Sequence, residues 1–377
     1  QHGVVYGSSS APKRWEDTLY PWICELDSHV VGGVRVPGFV QGENEKSVFH
    51  HAGRKLTVGC YVDDGCIRGP EAEVHWFLEK LAERFNCKDP VLFSEKTPID
   101  HLGMSYFMHE GDVHMTMENY VAAMLVNCDM TEVKGKSTPI STAITDLTPL
   151  TRDESKWFMR GTGMCGWLAM TGCPDIKYAH SRISQHMAAP CQGALKALKH
   201  LIAYCKETRY WCFRQTKGSK NVSWSFYSDS DHAGNAEVQN ERRSQLGRMA
   251  MLGSVPIDWG SKASSVKFGE DAWRTELPIG GLPVCHPLVK DLHTDVSSAA
   301  SEIYAASVAL SEFLHLSYVS EEMGWSIDLP LEIQVDNAAA VHYTNVRYGD
   351  YPDLEVLAEH IDEAERVAGC SALAKHL

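Results

Sequence analysis

Residues 222–227 alternate strictly: Val222, Trp224 and Phe226 are apolar, while Ser223, Ser225 and Tyr227 can face water. Such a period of two fits only a strand with one buried face, so this segment must join a sheet that something else covers. "GRMAMLGSVPIDWGSK" supplies two further strands around a Gly253-Ser254 turn. "SSAASEIYAASVALSEFLHL" is then long enough to cover them as a helix. "LEIQVDN" reads as a short strand with Leu331, Ile333 and Val335 inward. Strands, helix, strand and more helix define a mixed α/β (α+β) layout.

Upstream, the pattern changes. "KLTVGCYV", "DDG" and "CIRG" read as strand, Asp-Gly turn and strand. Val74, Phe77, Leu78, Leu81 and Phe85 fall at helical spacing. "HLGMSYF", residues 101–107, reads as one short strand, and "MTMENYVAAMLVNCDM" as a helix. "STPISTAITDLTPL" is a Pro/Thr-rich connector. "GALKALKHLIAYCKET" is a basic helix with Leu195, Leu198 and Ile202 inward, and "RQTKGSKN" a polar linker.

The 377 residues fit two or three domains. With 44% hydrophobic and 22% charged residues a packed core is expected rather than disorder. No apolar run approaches the ~20 residues of a membrane span and no charged-then-apolar pattern of a leader is read, so no membrane partner is expected. The chain opens with Gln-His, which reads as a piece of something longer. Twelve scattered cysteines without a C-x-x-C pair suggest reduced thiols of a cytoplasmic or nuclear protein. The net charge of −14 argues against indiscriminate nucleic-acid binding. Its distribution is uneven, however. Residues 191–220 hold seven Lys and Arg against one Glu, a stretch that can meet phosphates. Residues 301–377 hold fourteen acids against three bases.

Two sets of acids stand out. Asp63 and Asp64 are adjacent in "YVDD" at the predicted hairpin tip, tolerable there if solvated or bridged by cations such as magnesium. A plain Asp-Gly turn with an extra acid is the alternative reading. Asp229 in "FYSDSDHAG", Glu302 in "SSAASEIYAAS" and Asp336 in "IQVDNAAA" sit on two predicted strand ends and in the first turns of a helix. Taken singly, each is an ordinary strand-end or helix N-terminal acid.

The order of motifs resembles one family. Y-x-D-D is written at such a tip by reverse transcriptases. "VYGSSSAPKRW" resembles the LYGLKQAPRAW segment of copia-type retrotransposon polymerases, "HLGMSY" their YFLGIE strand and "MTMENYVAAMLVNCDM" their LSQEKYIEKLLEKFGM helix. "STPI", "RGTGMCGWLAM", "CPDIKYAHSRISQHMAAP" and "ALKALKHLIAYCKET" follow in that family's order. "FYSDSDHAG", "SSAASEIYAAS" and "IQVDNAAA" resemble the ribonuclease H motifs YSDADWAG, SSTEAEYMA and YCDNQSAI, and "ERRSQLGRMAMLGSVPIDWGSK" resembles RRSTSGYVFLLGGGPISWSSK. The chain thus resembles the second half of a copia-type (Pseudoviridae-like) LTR retrotransposon reverse transcriptase plus its ribonuclease H domain.

The resemblance implies a partial reverse-transcriptase palm over 1–110, a thumb or connection region over 111–220 and a ribonuclease H-like mixed-sheet domain over 221–377, with an insertion near 268–296. It implies an RNA-directed DNA polymerase, incomplete here because the third palm carboxylate lies upstream of the matched region. It also implies a ribonuclease H that cuts RNA in RNA–DNA hybrids through two Mg2+ ions, for which Mn2+ can substitute. Asp229 would bridge the ions, and Glu302 and Asp336 would hold one each. The fourth acid of the family matches Asp362 in "AEHID", which reads equally as part of a charged surface helix. Lys13, Arg14, Lys196, Lys199 and Lys206 are the implied nucleic-acid contacts. The implied partners are RNA, DNA, their hybrid and other parts of the parent polyprotein, whose element integrates as DNA, in a cytoplasmic virus-like particle or the nucleus. Ser9-Ser10 in place of the family's Lys-Gln and the 268–296 insertion keep an alternative open: a decayed or host-reused relic that binds nucleic acid or another protein without catalysis.

Overall fold

A computed structural model describes residues 11–140, 143–217, 223–231, 244–263, 297–325 and 332–336. The chain folds as α+β, with helices set against antiparallel and mixed sheets. It divides into two compact units: residues 1–92 with 312–329, and 93–311 with 330–377.

In the first unit, helix α1 (Ala11–Glu25) precedes a short hairpin, β1 (His29–Val31) and β2 (Val34–Val36). Next comes a four-stranded antiparallel sheet in the order β3 (Val40–Gln41), β4 (Val48–His51), β5 (Leu56–Tyr61), β6 (Asp64–Arg68). Helix α2 (Glu71–Arg84) follows, buries Phe77 and starts with Glu71 and Glu73, where the helix dipole favours acids. Leu19, Ile23, Phe39, Phe49, Leu56, Val58 and Phe77 close one core against the two helices. The Phe39 and Phe77 rings meet edge-on at 5.6 Å.

The expected strand over 101–107 is instead a hairpin of β7 (Ile99–His101) and β8 (Met104–His109). Its two loop residues, Leu102 (φ 51°) and Gly103 (φ 78°), both lie in the left-handed region that a tight two-residue turn demands. Glu110 and Gly111 repeat the device into β9 (Asp112–Thr116). Met115 and Thr116 therefore finish a strand, and helix α3 (Glu118–Asn127) begins later than the sequence pattern suggests.

The second unit continues with α4 (Arg152–Thr171), α5 (Lys177–Ser184), α6 (Gln192–Thr208) and β10 (Cys212–Gln215), which joins the antiparallel sheet β10-β9-β8-β7. Thr151 and Glu154 form a reciprocal capping box that satisfies two orphan donors at the start of α4. Gly161 lies so close to Leu198 that a Cβ there would stand 3.1 Å from it, so α4 and α6 approach closely. Phe158, Leu168, Ile183, Leu198 and Ile202 fill the space between these helices.

The same unit holds the mixed sheet β13-β12-β11-β14, made of β11 (Trp224–Asp231), β12 (Gln245–Leu252), β13 (Val255–Ala263) and β14 (Ile333–Gln334). Antiparallel pairing joins β11, β12 and β13, whereas β14 runs parallel to β11. Helix α7 (Ser297–Glu322) packs Ala305 and Val308 against Leu246. On β13, Trp259 donates its indole N–H to the Ala169 carbonyl (2.7 Å), tying the sheet to α4. Val222 and Leu331, expected to face inward, lie outside the described residues.

Leu198 is fully buried between helices, so Leu198→Ala should lower stability by about 2–5 kcal/mol in urea unfolding. Lys196→Ala, on the exposed side of α6, should stay within about 0.5 kcal/mol of the parent. Equal losses from both would contradict this packing.

Candidate metal centre

Strand β11 sorts its residues by face. Phe226, Ser228 and Ser230 are buried, while Tyr227, Asp229 and Asp231 are exposed. The parallel register sets Tyr227 level with Gln334, so Asp336, two residues further on, arrives level with Asp229. On the other flank Asp229 faces Gly247 of β12. The packing of α7 brings Glu302, in its second turn, to the same place, where the Ser230 amide N–H donates to Glu302 Oε1 (3.1 Å). One carboxylate oxygen from each of Asp229, Glu302 and Asp336 lies within 4.8 Å of the other two. Among the described residues no other group of three His, Cys, Asp or Glu side chains converges in this way.

The electrostatics are unfavourable to three bare charges. Glu302 is only 4% exposed. Burial pushes its carboxyl up, the Ser230 N–H opposes that, and Asp229 and Asp336 add to the rise, leaving it at about 7. Its Oε2 is buried without a hydrogen-bond partner. A buried carboxylate oxygen in that position calls for a proton or a cation. Three hard oxygen donors from three elements suit a divalent ion such as Mg2+ or Mn2+ better than a soft metal. Asp231 shares the exposed face of Asp229 but is not one of the converging group. Asp362 lies outside the described residues.

The first acid pair is placed differently from the sequence reading. The turn between β5 and β6 consists of Val62 and Asp63, closed by the Tyr61–Asp64 pair, not of Asp64-Gly65. Val62 takes φ 55°, a position a β-branched residue rarely adopts, and its carbonyl accepts from the Trp15 indole N–H (2.6 Å). Asp63 therefore sits on the turn and Asp64 on the returning strand, both exposed, with no third acid converging on them among the described residues.

The expected cationic contacts are unequal. Lys13 is exposed and pairs with Asp17 (3.1 Å) and Glu16 (3.5 Å) on its own helix, and Arg14 is exposed. On α6, Lys196 is exposed, but Lys206 donates to the carbonyls of Thr131 (2.6 Å) and Val133 (2.8 Å). Lys199 sits 5.6 Å from the centre of the Trp157 ring. The Ser230 amide, which orients Glu302, is a contact that sequence reading missed, because a backbone donor leaves no trace in residue type.

No family model matches the chain. Over 273 residues, 69% of its length, it is 29% identical to a retrovirus-related Pol polyprotein from transposon RE1 of Arabidopsis thaliana. A second such polyprotein, from transposon RE2 of the same plant, is 28% identical over 270 residues. A putative transposon Ty5-1 protein of Saccharomyces cerevisiae is 22% identical over 275 residues, 80% of that protein. The matched region spans 17% of the RE1 and RE2 polyproteins. The chain is thus similar to one segment of retrovirus-related Pol polyproteins from transposons. Among the described residues no helix is long and apolar enough to cross a membrane.

The raised Glu302 carboxyl makes stability depend on pH. An unfolded chain ionises this residue near 4.5, the folded one near 7, so the metal-free fold takes up a proton in between. Stability is then full below about 4.5 and falls as pH rises towards 7, by at most about 3 kcal/mol and less where solvent screens the group. In chelator, Glu302→Gln should therefore unfold at a higher temperature than the parent at pH 8 and at nearly the same temperature at pH 4.5. A substitution that destabilises equally at both values would contradict the assignment.

Proposed function

We propose that this Pol segment carries a ribonuclease H that hydrolyses the RNA strand of RNA–DNA hybrids. The observation that supports it best is the convergence of Asp229 on β11, Glu302 on α7 and Asp336 just beyond β14, with one buried Glu302 oxygen left without a hydrogen-bond partner among the described residues. The domain assignment follows the resemblance: partial palm over 1–110, thumb or connection over 111–220, ribonuclease H from 221 onwards.

In this reading the chain's own groups divide the work by burial. Asp229 and Asp336 are exposed and offer oxygens to the solvent side, where a sugar-phosphate strand would lie. Glu302 is held from behind by the Ser230 amide, so its free oxygen is fixed rather than rotating. These three residues would hold the magnesium ions. When bound, such ions activate a water and stabilise the leaving oxygen of a phosphodiester. No side chain of the triad reads a base, so cleavage would depend on backbone geometry rather than sequence.

The polymerase assignment is weaker in this segment. Asp63 and Asp64 would need a third carboxylate from elsewhere in the polyprotein, and we assign the 1–110 region a palm role only in that company.

The test is cleavage of a labelled RNA–DNA hybrid. The parent should cut the RNA strand only with Mg2+ or Mn2+, and Asp229→Asn should lose about 1,000-fold, the several kcal/mol that a metal site contributes. Equal cutting by parent and variant, or none by either, would favour the non-catalytic relic.

A further inference from the structure

Among the described lysines of the basic stretch 191–220, Lys196, Lys199 and Lys217 are exposed and Lys206 is partly buried. Lys206 is committed to two carbonyls. Lys199 stands in the wall of a cavity of about 560 Å3 that also carries Asp129, Glu132, Asp153 and Glu154, a poor place for a phosphate. What this stretch does present is the turn from α6 to β10, Arg209-Tyr210-Trp211.

Tyr210 is 61% exposed and Trp211 64%. Burial is the ordinary fate of rings this large, so two in succession left in water ask for a partner. Both are already held. The Arg209 guanidinium lies 4.3 Å from the centre of the Tyr210 ring and donates to its hydroxyl. Trp211 meets Tyr204 edge-on at 6.3 Å, and the Tyr204 hydroxyl is itself fixed on Asp175 (2.8 Å). The Trp211 amide N–H donates to the Thr208 carbonyl (2.9 Å), and its carbonyl accepts from the Thr116 hydroxyl (3.4 Å). Rings fixed before binding lose little entropy on binding.

We infer that the Arg209-Tyr210-Trp211 turn is a stacking platform for unpaired bases of a nucleic-acid strand. Aromatic faces stack on any base, and a cation beside them meets the backbone, which is the chemistry of sequence-tolerant single-strand binding. Arg209, against the Tyr210 ring, supplies that cation at the turn itself. The inference deepens the nucleic-acid reading above and rests on it for the class of ligand, but the platform is separate in sequence from the metal-centre residues and needs no metal.

The test uses the full chain carrying Asp229→Asn, in chelator, so that neither cleavage nor metal enters. Labelled oligo(dT), oligo(U) and a blunt duplex are titrated by fluorescence anisotropy at several salt concentrations. Trp211→Ala should weaken both single strands about 10- to 100-fold and leave the salt slope and the blunt duplex unchanged. Trp211→Phe should retain most of the affinity. Arg209→Ala should flatten the salt slope. Unchanged oligonucleotide affinity in a Trp211→Ala protein with parental circular dichroism and unfolding temperature would overturn the inference. So would a Trp211→Ala effect seen only on self-association in sedimentation, which would make the turn a protein contact. Absence of hybrid cleavage by the parent chain with Mg2+, alongside intact oligonucleotide binding, would count against the nuclease alone.

Discussion

The arrangement depends on one costly placement: a glutamate carboxylate buried between a helix and a sheet, within reach of two aspartates. Like charges so close favour the protonated form, and burial favours it further. Among the described residues, the Ser230 amide offsets this. The free energy that holds Glu302 there comes from apolar packing elsewhere, notably Leu246 against Ala305 and Val308. Among the described residues Oε2 has no hydrogen-bond partner, a placement that suits a proton or a cation.

The sheet accounts for the rest of the geometry. A strand shows alternate residues to one face, so Asp229 can face outward only because Ser228 and Ser230 face inward. The small buried serines let α7 lie close to β11. Parallel pairing of β14 then carries Asp336 to the level of Asp229. A one-residue slip in that pairing would turn Asp336 to the other face and dissolve the site.

Much of this was legible in residue order. The alternation around Trp224 and Phe226 gave β11, the Gly253-Ser254 turn gave the β12–β13 hairpin, and the long apolar-and-small helix gave α7. The three acids were legible because their motifs stand in a family's order, not because acids at strand ends are rare. The failures have physical causes. Leu102 and Val62 occupy left-handed turn positions that their side chains disfavour, so composition pointed elsewhere. Lysine spacing on α6 could not reveal that Lys206 caps carbonyls while Lys199 faces acids, since both facts depend on what packs beside the helix. The exposure of Tyr210 and Trp211 follows from the turn they occupy, which residue type does not reveal.

The central claim is that Asp229, Glu302 and Asp336 form a binding site for divalent cations. Diffraction at the manganese edge from crystals soaked in Mn2+ tests it most directly. The account predicts anomalous density bounded by those three carboxylates, absent in crystals of Glu302→Gln. Density elsewhere, or none at this position at saturating Mn2+ and pH 8, would contradict it.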